Sequence, residues 1–278
     1  MSPTTPHISF IGDLTVDVYP QKNQRHLCGS SLNAAMWAKH LGTKPSIVAA
    51  VGDDQAGREY VNVLTREHID GSRISILHGR TSVIEINITA GGERQYGDWD
   101  PGVMARYHLS KDDFAFLKKH DATLLTVYGP TRHLLDELVT FGLTNKKRKP
   151  LVAVDFGDLV QFEKSFSVVE SAIDGIDMAF FGLDKDNDER LINDVQQLAA
   201  SARKLCIVTL GQHGSVAFDG EKIFMQAPQS VSVKDTTGAG DAFIAGFLVS
   251  YLQTRNIQKS LEQGTILASS AIQKVGAY

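Results

Sequence analysis

The segment Asp235-Thr236-Thr237-Gly238-Ala239-Gly240-Asp241 places three small residues between two carboxylates, immediately ahead of an apolar stretch. Phe243, Ile244, Phe247, Leu248, Tyr251 and Leu252 recur there at helical spacing, so the glycines fall at a helix start, and Val231 and Val233 read as the end of a preceding strand. A helix start offers unpaired amides and the positive end of the dipole, and glycine lets the backbone approach an anion closely. Gly238, Ala239 and Gly240 are therefore suited to hold a phosphate. Asp241 adds negative charge beside that phosphate. It either caps the helix or accepts a proton from an attacking hydroxyl, and local chemistry leaves both readings open.

Other chemistries lack their motifs. No G-x-G-x-x-G follows an early strand, which weighs against a dinucleotide-binding dehydrogenase, and neither G-x-x-x-x-G-K-[ST] nor G-x-S-x-G occurs. The nine histidines include no H-x-x-x-H pair and read as surface or satisfied core residues.

The elements that must position the turn follow from hydrophobic patterning. Strand-length apolar runs ("ISFIG", "SIVAAVG", "TLLTVYG", "LVAVDF", "MAFFG", "LCIVTLG") lack polar alternation, as buried parallel strands do. Helical segments lie between them: "SLNAAMWAKHLG", "REYVNVLTREH", "ERLINDVQQLAASAR", and "FAFLKK" behind a Ser110/Asp113 capping pattern. The expectation is an α/β fold, a doubly wound, mainly parallel sheet flanked by helices. One stretch breaks the rhythm. In "RTSVIEINITAGGERQYGDW", Val83, Glu85, Asn87 and Thr89 alternate with Ile84, Ile86 and Ile88, and Ala90-Gly91-Gly92-Glu93 makes a plausible turn. This predicts a β-hairpin lid inserted at about 74–98 of a single domain spanning 1–278, with a dimer face or an ordinary edge hairpin as the other readings.

The chain has 278 residues, 42% hydrophobic and 22% charged, enough for one sizeable core and typical of a globular protein. A net charge of -4 and a pI near 6.1 provide no broad positive field for nucleic acid or membrane, and the basic run Lys146-Lys147-Arg148-Lys149 reads as a solvated turn. Cys28 and Cys206 are distant from each other and read as free thiols of a reducing compartment. With no signal pattern and no stretch near the ~20 apolar residues of a membrane span, the expected location is the cytoplasm.

"DTTGAGDAF" resembles the C-terminal signature of the ribokinase-like (PfkB) carbohydrate kinases, D-T-x-G-A-G-D. "IGDLTVDVYP" is similar to that family's first strand and sugar-binding turn, "CGSSLNAA" to its first signature, and "VTLGQHGSVAF" to its nucleotide segment, while "VGDDQAG" also falls in family order. The resemblance covers essentially the whole chain. It implies an ATP-dependent sugar kinase with a ribokinase-like fold, ATP with Mg2+ as cofactors, and K+ as a further candidate. It also implies roles for residues: Asp241 as base, Gly238 to Gly240 as anion hole, Asp235 in a monovalent-cation loop, Asp17 with Asp13, Gly29 and Asn33 at the sugar, and Thr209, Gly211 and Gly214 along ATP. Cys28 stands where the family has the first glycine of a pair. Within the family, "YGDWDPGVM" and the other segments resemble bacterial fructoselysine 6-kinases, which phosphorylate the fructosyl amine of lysine on its 6-hydroxyl. On that resemblance Arg94 and Tyr96 to Trp99 of the lid are candidates to face substrate, with lid packing as the other reading of the aromatics. The family's N-x-x-E magnesium element is not visible, its place reading "FGLDKDNDE", where Asp184 and Glu189 are the candidate ligands. "VDFGDL" in place of D-x-N-x-R argues against sugar-acid substrates. The rivals are another sugar or nucleoside kinase (fructokinase, ribokinase) and a non-catalytic sugar- or nucleotide-binding sensor. A homodimer through the lid is one candidate assembly, which residue spacing does not decide.

Overall fold

The computed structural model describes residues 5–88, 94–144 and 150–278. The first half runs β1 (His7–Ile11), β2 (Val16–Tyr19), β3 (Gln24–Leu27), α1 (Ser30–His40), β4 (Lys44–Gly52), α2 (Gln55–Arg66), β5 (Asp70–Leu77), β6 (Val83–Ile88) and β7 (Arg94–Asp100). After it come α3 (Lys111–Leu117), β8 (Ala122–Thr126), α4 (Arg132–Thr144), β9 (Leu151–Asp155), α5 (Ser167–Ala172), β10 (Met178–Gly182) and α6 (Glu189–Ala202). The chain closes with β11 (Leu205–Thr209), β12 (Ser215–Asp219), β13 (Lys222–Gln226), α7 (Ala239–Thr254) and α8 (Ile257–Ala271).

Nine strands form one sheet in the order β13-β12-β11-β10-β9-β8-β1-β4-β5. From β11 to β5 every neighbouring pair is parallel, and β12 and β13 add an antiparallel edge. Helices cover both faces, so all five residues of β8 are buried, which is why the central strands read as unbroken apolar runs. The doubly wound expectation is what the chain adopts. The Ser110/Asp113 pattern is a true capping box: the Asp113 amide donates to Ser110 Oγ at 3.1 Å, and the Ser110 amide to Asp113 Oδ2 at 2.8 Å.

Three expectations change. No strand runs through Val231 and Val233; the approach to the glycine turn is irregular, Val233 is 58% exposed, and the last strand ends at Gln226. The apolar stripe on α7 is instead burial on all sides from Ala242 to Ser250, because α1 and α8 both pack on this helix. The hairpin also begins later than expected. Residues 74–77 belong to β5 of the large sheet, and β6 and β7 join β2 and β3 in a second, four-stranded sheet of order β3-β2-β6-β7. The alternation shows at Ile86, buried, and Glu85, exposed, while Val83, Ile84 and Asn87 are all half-buried; Thr89 and the Ile88 side chain lie outside what is described. The turn at Ala90 to Glu93 and the basic run at Lys146 to Lys149 lie outside the described residues.

Candidate active site

The winding of the large sheet reverses between β1 and β8: β4 and β5 continue to one side of β1, and β8 to β11 to the other. Parallel strands end at one edge, and a crevice forms outside their carboxyl ends where the winding reverses. A cavity of about 610 Å³ occupies this place, lined by Asp13 and Thr15 after β1, Thr126 to Tyr128 at the end of β8, and Asp155 to Phe162 from β9 onward. The small sheet roofs it. Strand register aligns Asp17 of β2 with Ile84 of β6, and Ile84 with Trp99 of β7, and all three line the cavity. The helix starts complete the wall, with Gly29, Ser30 and Asn33 from α1, and Thr237, Gly238 and Asp241 from α7.

Gly29 holds φ +101°, and a Cβ there would lie 2.6 Å from the Asp13 carbonyl oxygen, so only glycine lets α1 start against the turn after β1. That start aims Asn33 across the cavity, where its Nδ2 donates to Asp241 Oδ2 at 2.8 Å. Gly238, at φ +72°, precedes α7, and no side chain caps this helix. Asp241 is thus tied to Asn33 rather than engaged as the cap. The Ala239 amide makes only a long contact with the Thr236 carbonyl, 3.3 Å, and nothing lies within 4 Å of where a Cβ on Gly240 would point. The start of α7 is therefore open to an anion.

Burial raises the Asp241 carboxyl to about 7; the Asn33 hydrogen bond opposes this, and the neighbouring Asp155 and Asp13 add to it. Asp13 and Asp155 are raised to about 6 for the same first reason; the Thr15 hydrogen bond opposes the rise at Asp13, and at Asp155 the Gly157 amide opposes it while Asp158 and Asp13 add to it. A donor chain supports Asp13: Trp99 Nε1 donates to Ser82 Oγ (2.7 Å), Ser82 meets Thr15 Oγ1 (2.8 Å), and Thr15 donates to Asp13 Oδ2 (3.0 Å). Asp13 Oδ1 and Asn33 Oδ1 are buried without a hydrogen-bond partner, on residues 6% and 5% exposed. Two orphaned acceptors in the wall of a polar cavity fit the hydroxyls of a sugar.

Asp13, Asp17, Gly29, Asn33, Gly238 and Asp241 thus meet at one cavity, with Ala239 and Gly240 in the adjoining helical turn. Thr209, Gly211 and Gly214 do not line it. They sit at the end of β11 and in the turn to β12, at the same edge of the sheet, with open space beside Gly211. Arg94 and Tyr96 are on β7, paired with Ile88 and Ile86; their side chains lie outside what is described. Asp235 is a clasp: Oδ1 accepts from the Thr237 amide and hydroxyl at 3.0 and 2.7 Å, and Oδ2 from the Gly276 amide at 2.9 Å. Asp184 Oδ1 accepts from the amides of Asp186 and Asn187, and Glu189 is exposed on the first turn of α6; neither lines the cavity. Motif reading missed Asp155, Asp158, Ser30 and Tyr128. The available signal was an acid ending a buried parallel strand, in "LVAVDF", the usual station of a ligand-facing residue.

Among the described residues no helix is long and apolar enough to cross a membrane. The family model described as pfkB family carbohydrate kinase matches residues 8–146 and 176–278. The chain is 33% identical over 271 residues to fructoselysine 6-kinase of Escherichia coli (98% of this chain, 99% of that protein). It is 28% identical over 276 residues to fructosamine kinase FrlD of Bacillus subtilis (96% and 91%). Among solved structures, adenosine kinase from Sinorhizobium meliloti superposes with a TM-score of 0.82 at 18% identity, covering 99% of this chain and 96% of that one, which shows the ribokinase-like fold. With a family match over most of its length and a 33% identical relative spanning it almost end to end, the chain belongs to the pfkB family of carbohydrate kinases.

Proposed function

We propose that this carbohydrate kinase transfers the terminal phosphoryl group of ATP to the 6-hydroxyl of fructoselysine, with Asp241 as general base. The reading rests on one observation above others: a carboxylate at an uncapped helix start, inside the cavity, held by Asn33 and titrating at about 7. The names of the Escherichia coli and Bacillus subtilis relatives support the acceptor.

Phosphoryl transfer asks the protein for in-line positioning, charge stabilisation and a base. Asp13, Asp17 and Asn33 orient the acceptor through its hydroxyls, beside the backbone of Gly29. Asp241 takes the hydroxyl proton as the oxygen attacks the terminal phosphorus, and ADP departs. The amides of Gly238, Ala239 and Gly240 steady the charge on the moving group. The nucleotide extends toward Thr209, Gly211 and Gly214, a placement supported by their common edge of the sheet and the open approach to Gly211. The small sheet serves as a lid of a single domain, excluding water that would otherwise compete as acceptor.

Bound with ATP, magnesium neutralises phosphate charge. Among the described residues no three His, Cys, Asp or Glu side chains converge to hold a metal, and an ion carried by phosphates and water fits that lining. The Asp235 carboxylate accepts from the Thr237 amide and hydroxyl and from the Gly276 amide, and a potassium ion in this loop would share it with those donors.

The test is ADP release with fructoselysine, fructose, ribose, adenosine or no acceptor. Highest kcat/KM is expected for fructoselysine, with little release when no acceptor is present. Preference for ribose, fructose or adenosine would overturn the acceptor assignment, and acceptor-independent release would overturn the transfer.

A further inference from the structure

Six aspartates line the cavity (Asp13, Asp17, Asp98, Asp155, Asp158 and Asp241), and among the described residues its lining contains no Lys, Arg or His. Three of them are used in the transfer described above. Asp98, on β7 of the small sheet, and Asp155 and Asp158, at and beyond the end of β9, are not. We infer that these three carboxylates select the acceptor by charge, Asp98 and Asp158 receiving a protonated amine carried by the polyol and Asp155 adding its field from deeper in the cavity. The inference rests on the proposed kinase reading and extends it to the residues that set specificity.

Carboxylates gathered in one cavity repel one another, and a bound cation relieves them all. A neutral polyol brings no counter-charge to Asp98, Asp155 and Asp158, and a phosphorylated sugar adds to the repulsion, so both are discriminated against. A divalent metal is the other ligand such a wall could take. It needs several ligands converging on one point, and among the described residues no such group of three exists. Carboxylates spread over two sheets suit an extended organic cation better. Asp98 and Asp158 are exposed at the cavity, and Asp155 is partly buried deeper in it, next to Asp13, so the amine end of the acceptor lies toward the mouth. The buried, unpartnered Oδ1 atoms of Asp13 and Asn33 independently mark where the polyol end binds. Trp99 and Tyr128, with ring centroids 5.1 Å apart, offer aromatic faces on which a cation is also favoured.

The test is calorimetric binding without ATP, comparing a 1-alkylamino-ketose, the matching neutral 1-alkoxy-ketose and a ketose phosphate. The unaltered protein is expected to bind the cationic ketose at least about tenfold tighter than the neutral one, and the phosphate ester not measurably. Asp98→Asn, Asp155→Asn and Asp158→Asn should each reduce that preference by about tenfold while leaving affinity for the neutral ketose unchanged, which also reports that the variants are folded. Asp98→Lys should reduce it further. Equal affinity for the cationic and neutral ketoses, or a preference that survives in all the variants, would overturn the inference. Because the binding assay contains no ATP, a charge preference there with no ADP release in the acceptor panel would count against the kinase reading alone, and ADP release without a charge preference against this inference alone.

Discussion

Asn33 and Asp241, 208 positions apart, are joined by a 2.8 Å hydrogen bond that ties the first turns of α1 and α7 together at the cavity. The bond favours the ionised carboxylate and so works against the burial that raises Asp241 to about 7.

Removing the donor in Asn33→Ala moves the Asp241 carboxyl upward. A base must be deprotonated, so activity rises with pH through the carboxyl's titration, and the acid limb of kcat/KM is expected near 7 in the unaltered enzyme. In Asn33→Ala that limb shifts to higher pH, and turnover at about pH 7 falls roughly tenfold, with partial recovery at higher pH. A pH profile of both enzymes checks this; an unmoved limb would mean that the bond does not set the titration.

Two glycines of the site should fail in different ways. A Cβ on Gly29 meets the Asp13 carbonyl oxygen at 2.6 Å on a φ of +101°, so Gly29→Ala is expected to cost about 3 kcal/mol or more, visible as a lower denaturation midpoint. A Cβ on Gly240 points into open space, so Gly240→Ala should unfold at a midpoint close to the parent's but lose turnover, because the methyl group occupies the approach of the phosphate. Comparing thermal melts with kcat for the pair separates the two effects.

The clustered carboxylates also predict how stability responds to pH. In the folded chain Asp155 is raised to about 6 and Asp241 to about 7, so between about pH 4 and 7 the folded state holds protons that the unfolded state has released. Stability from these groups is complete below the unfolded carboxyl's pKa and is lost as pH rises through 6 to 7. Asp155→Asn removes one of the repelling charges, keeps an acceptor for the Gly157 amide, and should raise stability at about pH 8 by roughly 1–2 kcal/mol, about 2–5 °C in melting temperature. Near pH 4 the variant and parent should melt together. Equal gains at both pH values would show that the effect is not electrostatic.

The legible parts were those with a local signature. The turn from Gly238 to Asp241 could be read because a phosphate-holding helix start needs small residues at fixed positions, and the buried strands because helices on both faces remove polar alternation. Local chemistry leaves Asp241 between cap and base, since only the fold brings Asn33 against it. Asp155 carries no motif: an acid ending an apolar run means little until β9 is seen beside β8 and β1 at the reversal of winding. The small sheet was half visible. The alternation of β6 marked a ribbon, but its pairing with β2, which puts Asp17 beside Ile84 and Trp99, is long-range and leaves no periodicity in sequence. Val231 and Val233 misled because β-branched residues in an irregular approach look like a strand end.

The most direct test of the account is the kcat of Asp241→Asn with saturating ATP and fructoselysine, alongside its ATP affinity. Loss of about 10²–10⁴-fold in kcat with ATP binding retained is the expected result, the usual contribution of a positioned base. Near-parental turnover would contradict the assignment of this carboxylate as the group that activates the acceptor hydroxyl.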